Sequence, residues 1–153
     1  MKISDQNGSL ALRVTTIETY AGARPSDYRL SATLRWHGFT ALNRHLWVSA
    51  HGYDNFAFSL NELERSRRGL ATLAAMSPNE FLLVIEVVDP AGHVQARGHL
   101  ANTVHDGRLN PFELRLPYSL DIDPSKLPKI CKAVAALPGP AADDSKEDPH
   151  GAA

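Results

Sequence analysis

Seven histidines, one cysteine and a carboxylate set inside an apolar run are the residues of this chain with the most chemical potential. A metal centre needs three or four such side chains converging on one ion, and their spacing works against that. His93 and His99 share one face of an alternating segment, but six residues of extended chain hold them roughly 20 Å apart. His37 and His45 lie around a tight turn, and no H-x-H, H-E-x-x-H or C-x-x-C pattern occurs. No metal and no cofactor is therefore expected. Cys131 falls with Leu127, Ile130 and Val134 on the apolar side of a short helical stretch, where a thiol packs rather than reacts. There is no G-x-S-x-G elbow and no Gly-rich strand-to-helix turn, which removes the hydrolase, Rossmann and P-loop readings. Glu86 sits inside Leu82–Val88, LLVIEVV. A carboxylate there must face water, meet a cation or keep its proton. The plain reading is an exposed site or an ion pair with an arginine of a neighbouring strand. The alternative is a functional role, as a partner contact or as a general acid in a small-ligand pocket or minor enzyme site near Glu86 and the sheet histidines. One carboxylate does not make an acid–base pair, so the expectation is a protein that binds and does not catalyse.

Binding chemistry is better represented. Arg29, Arg35 and His37 alternate along one strand, Arg97 and His99 along another, and Glu113 and Arg115 along a third. If those faces align they form an arginine-rich surface suited to bidentate contacts with anionic groups; otherwise each is an ordinary solvated face. A second candidate is the segment His51–Phe56, read as a loop. Tyr53, Asp54 and Phe56 there join aromatic anchors to hydrogen-bonding groups, as interface hot spots do, or staple the loop to the helix that follows.

The elements that must position these residues follow from periodicity. Tyr28, Leu30, Ala32, Leu34 and Trp36 alternate strictly with polar residues, a two-residue period that predicts a strand over 28–37. Earlier, 10–16 reads as a strand joined to it by the polar stretch 18–27. Gly38 breaks the strand, and extended character resumes over 39–50 around Leu42, Leu46 and Val48. The Ser59/Glu62 capping-box spacing, followed by Leu63, Leu70, Leu73 and Ala74, predicts a helix over 59–75. Phe81–Val88, the turn Asp89-Pro90-Ala91-Gly92 and the alternating 93–102 predict a hairpin. A strand over 109–118 carries Phe112, Leu114, Leu116 and Tyr118 on one face. Asp123-Pro124 then opens a short helix, with Pro128 setting its start near Ser125 or Leu127. No internal repeat is visible. The order β-β-β-α-β-β-β-α with hairpin connections implies an α+β domain, mainly an antiparallel sheet forming a sandwich or flattened barrel.

At 153 residues the chain suits one domain, predicted over 1–137. A lone cysteine and a polar N-terminus favour a reducing, cytoplasmic setting, and no apolar run is long enough for a membrane span. The net charge is −1, but residues 138–153 carry Asp143, Asp144, Glu147 and Asp148 against Lys146. Without large apolar residues that stretch is expected to be a disordered acidic tail. The rest of the chain is then weakly positive, too little to announce nucleic-acid binding.

A turn at Gly38-Phe39, a helix opening with Phe56 and Leu60, and an apolar strand ending in D-P-A-G-H-V at Asp89–Val94 succeed one another along the chain. In this succession, over roughly Ser9 to Val134, the chain resembles small bacterial immunity-type proteins encoded beside polymorphic toxins. The resemblance implies a non-enzymatic protector that binds and neutralises a cognate toxin, and it brings no catalytic residues with it. Immunity proteins against nucleases are often acidic, whereas acidity here lies mainly in the tail, so a nuclease target is not favoured.

Overall fold

Alternation along Tyr28, Leu30, Ala32 and Leu34 seeds the first sheet. The computed structural model describes residues 1–20, 24–77, 79–104 and 112–137, and in it these four side chains are at most 4% exposed. They lie on β3 (Arg24–Trp36), which pairs antiparallel with β2 (Gly8–Tyr20) and β4 (Phe39–Ser49). A short β1 (Lys2–Ser4), not anticipated from periodicity, extends the sheet beyond β2, giving the order β1-β2-β3-β4. A second sheet has the order β5-β6-β7-β8, from β5 (Leu70–Ala74), β6 (Phe81–Val87), β7 (Val94–Val104) and β8 (Phe112–Ile122). Helix α1 (Ala50–Ser66) links the sheets, and a 3-10 turn (Pro124–Lys126) leads into α2 (Leu127–Ala136). The fold is α+β with mainly antiparallel sheet, as two separate sheets rather than one closed ladder. Its order repeats, four strands and then a helix, twice. Ser49 accepts a hydrogen bond from the Gly52 amide at the start of α1, and Asp123 accepts one from the Ser125 amide at the start of the 3-10 turn.

Each sheet hides one face. Leu10, Leu30, Leu34 and Leu46 from the first and Leu73, Leu83, Ile85 and Leu120 from the second join one apolar core. Polar links tie the margins: the Met76 amide donates to the Trp47 carbonyl (2.7 Å), and the Asp121 amide donates to an Asp5 carboxylate oxygen (3.0 Å). Of the expected connector over 18–27, residues 18–20 and 24–27 are instead strand, since β2 and β3 stay paired out to Tyr20 and Arg24, while 21–23 lie outside the described residues. The turn between β3 and β4 has His37 and Gly38 at φ 46° and 84°, so His37 is a hairpin-tip residue and not part of a strand face.

The first helix departs furthest from the expectation over 59–75. It begins at Ala50 and ends at Ser66, where Arg67 takes a left-handed conformation and its amide reaches the Leu63 carbonyl. Tyr53, Phe56, Leu60 and Leu63 form its buried stripe. Ser59 lies in the helix interior, so it caps nothing, and Glu62 pairs with Arg65 (2.7 Å). Leu70–Ala74 is β5, with Ala71 and Leu73 buried and Leu70 turned out at 55% exposure. The residues at 70, 73 and 74 fit a helical stripe, but Gly69 at φ 89° ends any continuation before them.

Glycine is required sterically at Gly98 in β7. A Cβ there would stand 1.8 Å from the Leu82 carbonyl oxygen and 3.2 Å from the Tyr118 hydroxyl. The Tyr118 ring lies opposite Gly98, and its hydroxyl donates across it to that same carbonyl (3.1 Å). Burial pushes the Tyr118 phenol well above its ordinary range, so it stays a donor.

The predicted Asp89–Gly92 turn is present, with Gly92 at φ 87°. Asp89 accepts from the His93 amide (3.1 Å) and pairs with the His93 ring. The bond to the ring raises His93 above the ordinary imidazole value, and the bond from His93 holds Asp89 below the ordinary carboxylate value. For the raised histidine, the stabilisation is complete below its unfolded pKa and lost as pH rises through the folded one. For the lowered aspartate, it is present above the unfolded pKa and lost as pH falls through the folded one. The turn is thus tightest between the two ordinary values. An NMR titration should show His93 titrating above a free histidine and returning to the ordinary value in Asp89→Asn; no change on substitution would refute the pairing.

Candidate functional site

The outward face of β2–β3–β4 is built in rows by the strand register. Arg35 lies between Ser9 and Thr40, Thr33 between Ala11 and Leu42, and Ser31 beside Arg13. Opposite Ser31 the ladder slips: Leu30 pairs with Leu46 and Ala32 with Asn43, so Arg44 and His45 together face one residue. This is a β-bulge, which bends a strand and re-aims side chains. A second irregularity between Val14 and Thr16 inserts Thr15 one strand away.

Asn43 holds the β4 bulge in place. It is the buried polar side chain of the described residues, at 6% exposure. Its amide nitrogen donates to the Ala101 carbonyl of β7 (2.9 Å), and its oxygen accepts from the His45 amide (2.9 Å). One side chain therefore pins the bulge and fastens one sheet to the other. The bulge also explains a departure from the sequence reading. Leu42, grouped with Leu46 and Val48, is 41% exposed, because the extra residue flips the strand between them.

Where the two irregularities meet, Arg13, Thr15, Arg29, Ser31, Arg44 and His45 line a depression of about 360 Å³. No carboxylate is among them. Arg29 is held in position: its Nε donates to the Thr15 hydroxyl (3.3 Å), and its guanidinium lies 5.9 Å from the Trp47 ring centroid. Thr15 in turn donates to the Arg29 carbonyl (3.2 Å). The Arg44 guanidinium has no partner among the described residues. Forked donors held beside hydroxyls can bind a carboxylate or phosphate group in bidentate fashion. Arg44 and His45 also border a second depression with Leu42, Asn43, Glu80 and Asn102. Leu42 and Asn102 in turn border an apolar groove of about 420 Å³ with Phe39, Leu100, Leu114 and Leu116. The three form one track beside β4, apolar at one end and basic at the other.

The second sheet's outer face is different. Glu86 and Arg97 form an ion pair, and Arg115 binds Glu113 at 2.7 Å. Those charges are spent on each other. His99, half-buried on the same face, is pushed below the ordinary imidazole value by burial and then by the Arg115 guanidinium. Its Nε2 has no hydrogen-bond partner among the described residues.

The residues singled out from sequence are thus divided. Arg29 and Arg35 lie on the first sheet, while Glu86, Arg97, His99, Glu113 and Arg115 lie on the second, so the single aligned face does not exist. His51–Phe56 is not a loop but the first turns of α1. Tyr53 and Phe56 are 2% and 1% exposed, packed edge-on with the Tyr53 hydroxyl donating to the Val134 carbonyl of α2 (2.6 Å), which removes them as contact residues. Asp54 and His51 remain exposed on that helix. Glu86 is satisfied by Arg97 rather than enclosed beside a histidine. Cys131 is buried, with its thiol against the Leu60 carbonyl (3.7 Å) and pushed up by burial. Among the described residues no His, Cys, Asp or Glu side chains cluster as metal ligands would.

Arg13, Thr15, Arg44, His45 and Asn43 were missed by sequence reasoning. A signal existed: with Leu42, Leu46 and Val48 on one face, position 44 should be inward, and an arginine there announces a bulge.

Compared with protein-family models, curated proteins and solved structures, the chain matches none. Its own geometry therefore carries the functional argument. Among the described residues no helix is long and apolar enough to cross a membrane.

Proposed function

We propose that this chain is a binding protein of the immunity type, which neutralises a cognate toxin by masking part of its surface. The observation that carries the binding reading is the track beside β4, where a depression lined by Arg29, Arg44 and His45 adjoins an exposed apolar groove. Interfaces combine such elements: apolar and aromatic anchors for affinity, arginine for orientation. The opposite sheet, with its charges internally paired, offers less to a partner. The toxin itself is inferred from the resemblance in element order, which implies a protector encoded beside its target.

The test is co-expression with the protein encoded by the adjacent gene. The expected result is co-purification of the two and rescue of a host that the neighbour alone kills. A neighbour that is harmless, or that remains toxic and unbound in the presence of this chain, would reject the reading.

A further inference from the structure

The geometry points to a partner segment of defined chemistry: an apolar anchor seated between Phe39, Leu42 and Leu114, with carboxylates reaching the guanidiniums of Arg29 and Arg44. This deepens the binding reading and rests on it.

Three observations converge. Phe39, Leu42 and Leu114 are 68%, 41% and 58% exposed, and all three line one groove. Large apolar side chains gathered in this way mark contact surfaces, whereas scattered ones need no explanation. Second, the groove runs into the basic depression through shared lining residues, with the five residue-to-residue steps of β4 from Phe39 to Arg44 spanning roughly 17 Å. A ligand long enough to use both ends must be a chain. Third, the anion-seeking end is assembled before any ligand arrives. Thr15 and Trp47 hold Arg29, while the Asn43-pinned bulge presents Arg44, so less side-chain freedom is lost on binding.

The occupant these features favour is a protein segment with Asp or Glu residues, and a nucleic acid fits them less well. A phosphodiester backbone gains nothing from an apolar groove of about 420 Å³. At the other end of the same sheet face, Glu18 pairs across the strands with Asp27 and would repel a continuing row of phosphates.

The full chain, immobilised, is panned against a phage-displayed library of random dodecapeptides, and enriched peptides are titrated in solution. Two double variants are compared: Arg29→Glu with Arg44→Glu, and Leu42→Asp with Leu114→Asp. All four positions are outside the core, and a thermal melt checks that each variant folds. The expected result is enrichment of peptides joining acidic residues to an apolar anchor, with affinity falling about ten-fold or more in each variant. Peptides without acids, no enrichment at all, binding unchanged in either variant, or displacement of the peptides by a thymidine 20-mer would each overturn the assignment. The two readings separate cleanly. A neighbour protein that binds both variants as well as the native chain refutes this assignment and leaves the immunity reading standing. Selected peptides that obey the variants while the neighbour fails to bind do the reverse.

Discussion

Gly98→Ala should lower the stability of the folded chain by roughly 3 kcal/mol or more, measured as a shift in the chemical-denaturation midpoint. The reason is local. The added methyl group would lie 1.8 Å from a backbone oxygen, that of Leu82, so no rotamer change can relieve the overlap. The β6 backbone must move away, which disturbs the pairing of Leu83 with Gly98 and strains the Tyr118–Leu82 hydrogen bond. The comparison Tyr118→Phe removes only that hydroxyl bond and should cost about 1 kcal/mol, or up to about 3 if the carbonyl is left unsatisfied. A larger loss in Gly98→Ala than in Tyr118→Phe isolates the steric term. If the alanine variant unfolds within experimental error of the native chain, the close approach described for β6 and β7 is wrong.

Asn43→Ala is the second substitution with a large expected effect, about 2–3 kcal/mol, because it deletes one buried and one part-buried hydrogen bond at once. The Ala101 carbonyl loses its side-chain donor and the His45 amide its acceptor. Stability alone would not distinguish this from any other core polar deletion. The diagnostic readout is hydrogen exchange at the His45 amide, which should accelerate strongly while amides in the centre of β6 keep their protection in proportion to global stability. A second signature is functional: Arg44 and His45 lose their fixed placement, so binding through the basic depression should weaken even at temperatures where the variant is fully folded. An exchange rate at His45 that merely follows global stability would show that the side chain does not govern the bulge.

How much of this was legible before the structure depends on what each residue's neighbours dictate. The strands around Tyr28–Trp36 and Phe81–Val87 could be read because alternation, or uninterrupted apolar character, leaves no competing periodicity. The Asp89–Gly92 turn and the Asp123 cap could be read because Pro, Gly and Asp have narrow backbone preferences. Helix α1 was misplaced for a physical reason: Gly52 and the aromatic-rich His51–Phe56 resemble a loop in composition. The decisive signal was the spacing of Tyr53, Phe56, Leu60 and Leu63, at steps of three and four. Leu70, Leu73 and Ala74 share that spacing by coincidence, and only tertiary pairing with β6 makes them strand. The site was less legible than the fold. Arg29, singled out from its alternation along the strand, lines the basic depression, but which faces combine depends on which sheet each strand joins, and no local pattern carries that. The bulge could have been found from Arg44 at an inward position, since a charge in a core register is a local contradiction that the backbone must resolve.

Each strand pairing among the described residues joins consecutive strands. The first sheet therefore needs nothing from the C-terminal half of the chain to acquire its backbone partners. During synthesis its hairpins can close as they emerge, each by a short loop with little entropy to lose. What has to wait is the greasy inner surface of that early sheet, which stays uncovered until β5–β8 have been made. For that interval the nascent half-protein is at its stickiest, and Asn43, whose partner is Ala101, becomes a latch that can engage only when the second half has arrived.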